Sequence, residues 1–212
     1  MGLHQAFPDA EIDGYDIKPQ SRYPFRFFQQ DAMTVTLDRY DFVWASWPCQ
    51  AYSRLRHLPW LKDKQYPRLI EPGREKLLAW GGPWIMENVE DAPLLNGVTL
   101  CGQMFGLPVY RHRRFEASFM LLQPAHTQHT QVIGHGRMVN DRSRGTLNAG
   151  SSAGAWGKQS IITVAGGQFL KADGELALGI DWMSKKGLAQ AIPPAYSHYL
   201  AQFIPLSVEH AA

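Results

Sequence analysis

Three short segments carry side chains able to do chemistry. Ser46-Trp47-Pro48-Cys49-Gln50 follows the apolar run Phe42-Val43-Trp44-Ala45, which sets a thiol on a proline-stiffened turn beyond a buried strand. That is the placement of a nucleophile aimed out of an α/β sheet. An unperturbed thiol has a pKa of about 8.5, so a working nucleophile needs cations or a helix N-terminus nearby. Arg54, Arg56 and His57 follow within two turns. The competing reading of Cys49 is a small buried hydrophobe. Pro83-Trp84-Ile85-Met86 predicts a second buried strand that delivers Glu87-Asn88-Val89 to its carboxyl end. Ligands of open parallel sheets sit at such ends, so thiol and acid can face one substrate; otherwise Glu87 is a solvated loop acid. In Tyr110-Arg111-His112-Arg113-Arg114-Phe115, period-two spacing predicts Arg111 and Arg113 on one face of a strand. Two fixed guanidinium groups suit phosphates or a polarised carbonyl oxygen, and the alternative is an ordinary exposed basic edge.

In this order the segments resemble the cytosine-C5 DNA methyltransferases. Pro48-Cys49-Gln50 with Ser53 is similar to the family's nucleophile loop, Glu87-Asn88-Val89 to its acid motif and Arg111-His112-Arg113 to its paired-arginine motif. Gly179-Ile180-Asp181-Trp182-Met183 and Ala191-Ile192-Pro193-Pro194-Ala195-Tyr196 resemble the closing segments, most closely those of small phage-type members, so the resemblance covers nearly the whole chain. It implies an α/β fold: a Rossmann-like methyltransferase sheet with a small irregular or β target-recognition region. The expected division is a catalytic core over 1–118, target recognition over 119–178 and a segment over 179–212 returning to the core. The implied activity is S-adenosylmethionine-dependent methyl transfer to C5 of cytosine in double-stranded DNA. Cys49 would add to C6, Glu87 would protonate or hydrogen-bond N3, and Arg113 with Arg111 would hold O2 or the adjacent backbone. Such chemistry requires the cytosine to be swung out of the duplex.

For S-adenosyl-L-methionine, the resemblance assigns ribose hydroxyls to Asp16, beside Ile17, and the adenine amine to Asp31, with Pro48 and Gln190 as further contacts. Asp16 and Asp31 are equally turn or cap residues by type. Gln190 stands where many members carry asparagine, and Val109 where the arginine motif often begins with glutamine. Family members open with a strand and a Phe-x-Gly-x-Gly-Gly loop, whereas this sequence starts at Met1-Gly2-Leu3, where the following helix is already expected. The resemblance therefore implies an N-terminally truncated sheet, with facing edges unpaired on the strands that end at Asp16 and near Ser46. Each unmade buried hydrogen bond costs about 1–3 kcal/mol. Repacking, a second chain or oligomer, or residues outside these 212 would close the gap. Gly81-Gly82 and Gly166-Gly167 lack the strand-then-helix setting of such a loop. Alternative functions are a catalytically impaired DNA-binding remnant, one part of a split methyltransferase, and methylation of RNA cytosine.

With 212 residues and 45% hydrophobic content, the chain can bury one sizeable core and a minor lobe. No apolar stretch approaches the roughly twenty residues that span a bilayer, and no signal peptide is expected. Two cysteines fit a reducing cytoplasm, with Cys101 structural. Net charge is only +2, but Arg111, Arg113, Arg114, Arg137, Arg142, Arg144, Lys158 and Lys171 outnumber Glu116 and Asp141 between 111 and 171. Attraction to phosphates is expected there.

Residues 123–174 are rich in Gly, Ser, Asn, His and Thr, as in a mobile loop or small β lobe. Ile161-Ile162-Thr163-Val164 is the best strand there. His126, His129 and His135 have neither a cysteine nearby in sequence nor helical pairing, so no metal is expected. Helices are predicted over 75–80, 182–188 and 194–203.

Overall fold

In a computed structural model, residues 1–61, 63–126, 128–129, 161–167 and 169–205 are described, with the backbone of 133–134. Arg137, Arg142, Arg144, Lys158, Asp141 and His135 lie outside the described residues.

The chain opens with α1 (Gly2–Ala6), β1 (Asp13–Asp16) and β2 (Arg26–Gln29), and continues through β3 (Val43–Ser46), α2 (Ile70–Trp80) and β4 (Trp84–Asn88). β5 (Val98–Leu100) and β6 (Arg113–Ala117) complete a four-stranded mixed sheet in the order β3-β4-β6-β5. β3 and β4 run parallel, with Ser46 opposite Glu87, while β6 is antiparallel to both β4 and β5. The carboxyl ends of β3 and β4 and the start of β6 therefore meet at one end of the sheet.

Every residue of β4 is buried, since a strand pairs on each side of it and both faces are covered. Trp84 and Met86 pack with Ile70 and Leu77 of α2, and also with Trp47. Ile85 faces the other way, with Phe115 and with Tyr196 and Leu200 of α5 (Pro194–Ala201). α1 packs along α5.

α2 begins five residues before the expected start at Glu75. Pro72 lies in the first helical turn, where no N–H is required, so it does not break the helix. Gly81 ends it in the left-handed conformation, φ 80°, donating its N–H to Leu77 O. Arg74 of α2 reaches β6 on the same sheet face, donating to Glu116 at 2.6 and 2.8 Å, and Glu116 also accepts from Leu95 N–H.

Behind the sheet, Val109, Ile162, Val164, Phe169, Ala177, Leu178, Ile180 and Leu188 form a second core. Its elements are β8 (Ile161–Ile162, parallel to β7, Ile133–Gly134), α3 (Lys171–Leu178) and α4 (Lys185–Gln190). This core draws on all three expected segments. α3 was not anticipated, because Asp173-Gly174 interrupts its apolar pattern. The two expected C-terminal helices are α4, displaced by two or three residues, and α5, which starts as expected with Pro194 at its first helical position and ends two residues early.

β1 and β2 form a parallel pair of their own. Among the described residues no backbone ladder joins them to β3. Side chains make the connection: Tyr40 donates to Asp13 at 2.7 Å and Arg39 at 3.1 Å, shortly before β3 begins. The Asp13 carboxylate is 2% exposed, and Arg26 holds it below the usual carboxylate range. No described helix is long and apolar enough to cross a membrane.

Gly73 shows how closely α2 seats the loop after β3. A Cβ there would lie 2.3 Å from the Trp47 indole. Alanine is the better helix former by about 1 kcal/mol, yet overpacking of this kind costs about 1–3 kcal/mol. Gly73→Ala is expected to lower the thermal unfolding midpoint and shift Trp47 fluorescence; an unchanged or raised midpoint would show that the indole has room to move.

Candidate active site

The loop beyond β3 is held from both sides. Asn88, the last residue of β4, donates its side-chain amide to Trp47 O at 2.9 Å, and Trp47 is buried under α2. Beyond it, Cys49 O accepts N–H groups from Tyr52 at 3.0 Å and Ser53 at 2.8 Å. Pro48 and Cys49 are thus carried on a fixed turn with the thiol half-buried.

Glu87 is 8% exposed and lies within β4 itself. Because Glu87 pairs with Phe115 in the β4–β6 ladder, alternation puts Glu87 and Arg113 on the same face, and Arg113 Nε lies 3.1 Å from Glu87 Oε1. Arg113 also donates to His112 O at 2.8 Å.

Burial pushes the Cys49 thiol above its usual range. Arg113 and Arg111 oppose that shift, and Glu87 adds to it. All three therefore lie within electrostatic reach of the sulfur. The cations expected to act on Cys49 were Arg54, Arg56 and His57, but the structure puts Arg113 and Arg111 in that position. Arg54 instead binds Asp91 at 2.7 and 3.2 Å, and Arg56 turns to Ala51 O. Arg56, His57, Lys64 and Arg68 line a groove of about 450 Å³ beside Ala51.

Arg111 departs from the expected pairing with Arg113 because it precedes β6, where strand alternation no longer applies. It is 5% exposed and donates to Val164 O at 2.6 Å and Ala189 O at 3.1 Å, while Tyr196 donates to its carbonyl at 2.6 Å. Burial, reinforced by the Arg113 charge, pulls Arg111 down to about 9, which leaves it cationic at neutral pH. It joins the sheet end to the second core.

The residues read as cofactor contacts fall into three places. Asp16 ends β1 and accepts from Lys18 N–H and Gln20 Nε2; Ile17 beside it is 62% exposed. Asp31 follows β2 and caps the short 3-10 turn Ala32–Thr34, accepting from Met33 N–H. Both aspartates sit at the carboxyl ends of neighbouring parallel strands, and Gln30 donates its N–H to Asp16 O. Pro48 stays with the thiol, and Gln190 ends α4, exposed and next to Ala189.

One group escaped sequence reasoning. The absence of a cysteine near the histidines holds only along the chain, because the fold brings Cys101 Sγ to 3.6 Å from His129 Nε2, with His112 and His126 alongside. The usable signal was Cys101 and His112 bracketing a β5–β6 pair.

No family model matches this chain, and no curated protein does. Among solved structures it is similar to a DNMT2 E260A/E261A/K263A mutant from Spodoptera frugiperda, at 19% identity and a TM-score of 0.39. The match covers 59% of this chain and 50% of that one, so this chain spans about half that protein's length.

The charges around Cys49 give a test with opposite signs. Glu87→Gln removes a charge that raises the thiol pKa, and Arg113→Gln removes one that lowers it. Iodoacetamide labelling of Cys49, followed by peptide mass spectrometry across pH, should show the midpoint falling in the first variant and rising in the second. Equal midpoints would place both charges out of reach of the sulfur.

Proposed function

We propose that the chain carries the catalytic residues of a cytosine-C5 methyltransferase acting on DNA. The observation that carries this reading is the convergence of Cys49, Glu87 and Arg113 at one end of the sheet, within electrostatic reach of one another. A thiol, a carboxyl group and a guanidinium are the set needed to activate a pyrimidine ring toward addition at C6.

In this reading Cys49 supplies the sulfur that adds to C6 of a flipped cytosine. Glu87, in its protonated form, donates to N3 and so stabilises electron density moving toward C5. Arg113 holds O2, where negative charge gathers. Entry of the base separates Glu87 from Arg113, since N3 and O2 take over as their partners. Arg113 then has Cys49 as a neighbouring anion and favours the thiolate. Arg111, bound to Val164 O and Ala189 O, acts from behind as a fixed charge. C5 then takes the methyl group from the cofactor's sulfonium, and loss of the C5 proton to a general base lets the S–C6 bond break and restores the ring.

A nucleoside fits the β1–β2 end by donor chemistry. Asp16 and Asp31 offer carboxylates at adjacent strand ends, and a groove of about 360 Å³ lined by Tyr15, Gln30 and Arg39 opens beside them. S-adenosyl-L-methionine bound there would supply the electrophilic methyl group. Ile17, Pro48 and Gln190 would line its path toward Cys49.

The second reading is a DNA-binding chain, or one part of a split enzyme, that does not turn over alone. That no ladder joins β1–β2 to β3 among the described residues favours it, because the aspartates and the thiol sit on separately paired sheets.

Calorimetric titration with S-adenosyl-L-methionine and trapping on a 5-fluorocytosine duplex separate these readings. The proposed enzyme binds cofactor and forms a covalent adduct that Cys49→Ala abolishes, and Glu87→Gln slows adduct formation by about 10²–10⁴-fold. Cofactor binding without an adduct, or an adduct that survives Cys49→Ala, would sink the assignment of Cys49. DNA binding with no cofactor binding would establish the second reading.

A further inference from the structure

Four potential ligands meet just beyond the β5–β6 pair. In that register Leu100 lies opposite Arg113, so the next residues outward, Cys101 and His112, come side by side. The chain leaving β6 folds back and brings His126 and His129 onto them. Cys101 is fully buried, and the four side-chain donor atoms all lie within 4.8 Å of one another.

Two of the spacings match the edges of a coordination polyhedron. Tetrahedral zinc, with Zn–N of about 2.05 Å and Zn–S of about 2.3 Å, has N···N edges of about 3.3–3.4 Å and S···N edges of about 3.6 Å. His129 Nε2 lies 3.3 Å from His112 Nε2 and 3.6 Å from Cys101 Sγ. A hydrogen bond between neutral imidazoles would account for one such nitrogen pair, but here His129 Nε2 faces both a second ring nitrogen and the sulfur, and a fourth donor atom lies within 4.8 Å of them. The three imidazoles have centroids 4.7–5.2 Å apart, and the Tyr110 ring backs His112 and His129 at 4.7 and 4.8 Å.

We propose that Cys101, His112, His126 and His129 bind one zinc ion in a closed, structural site. Thiolate with imidazole suits zinc, and four protein ligands leave no position for substrate. Binding converts the Cys101 thiol to a metal-bound thiolate, releasing its proton to solvent. His126, the exposed member, closes the site last. The ion would staple the segment that leads toward residues 135–160 onto the sheet end, one residue from Arg113. This inference is independent of the chemistry assigned to Cys49.

The test uses the full chain without a histidine tag. Expected are one zinc per chain by mass spectrometry of the metal, and, on Co²⁺ loading, the visible bands of tetrahedral cobalt with a near-ultraviolet sulfur-to-cobalt band. Cys101→Ser should remove the sulfur band, while Cys49→Ser keeps it. His126→Ala changes an exposed residue and should leave the fold intact by circular dichroism. It should weaken zinc binding by more than the roughly 10–100-fold that loss of an outer-shell partner costs. Folded protein that takes up neither zinc nor cobalt would overturn the proposal, as would a sulfur band that persists in Cys101→Ser or zinc affinity unchanged in His126→Ala.

Discussion

Glu87 and Arg113 approach within 3.1 Å at the end of β4, and both side chains are largely withdrawn from water. Desolvating an ion costs several kcal/mol even after relaxation, so neither charge can be left there without a partner. The β4–β6 ladder enforces the meeting: once Glu87 stands opposite Phe115, alternation leaves Arg113 nowhere to go but the same face. The pair can therefore change state only by exchange, each charge finding a new polar group as it releases the other. A ligand with an acceptor and a donor on one edge satisfies that condition.

The second buried charge nearby obeys the same constraint in a different way. Arg111 is held by main-chain acceptors: two carbonyls from separate parts of the chain take its N–H groups. Val164 and Ala189 are far apart in sequence, and Tyr196 reaches the Arg111 carbonyl from α5. One guanidinium thus gathers the second core and the C-terminal helices against the sheet. Displacing any of them would leave buried donors or acceptors unmade, at about 1–3 kcal/mol each. The second core and the sheet end are consequently coupled through a residue that needs no contact with substrate to matter.

Much of the sheet was legible in the sequence because its strands are short apolar runs closed by polar residues. Phe42–Ala45 and Pro83–Met86 located β3 and β4 to within a residue or two, and with them the ends that carry Cys49 and Glu87. Legibility failed where the deciding contact was distant. The start of α2 was obscured by Pro72-Gly73, a pair that reads as a break until the proline is seen in the first turn and the glycine under Trp47. Arg54, Arg56 and His57 were close to Cys49 along the chain but turn elsewhere, whereas Arg113, more than sixty residues on, acts on the sulfur. The Cys101 cluster failed for the same reason, since its members come from the two sides of a strand pair and a returning segment. Spacing along the chain carries no trace of that closure.

That Cys49 rests as a protonated thiol follows from the same charges. Burial disfavours thiolate at Cys49, and Glu87 adds to the cost, while the arginine that could offset both is engaged by that carboxylate. A thiol kept in this form is slow to oxidise or alkylate, because the thiolate is the reactive species. Any event that draws Glu87 away alters both opposing influences together: a raising charge leaves, and Arg113 becomes available to the sulfur. On the proposed chemistry that event is the arrival of the base, whose N3 and O2 take the two partners apart. Activation of the nucleophile would then occur with a ring in place to receive the sulfur, the thiol proton passing to a neighbouring base such as the Glu87 carboxylate, which must gain a proton before it can donate to N3. The arrangement demands that the thiol, carboxyl and guanidinium meet, and parallel pairing of β3 with β4 and antiparallel pairing of β4 with β6 bring the three residues to a single sheet end.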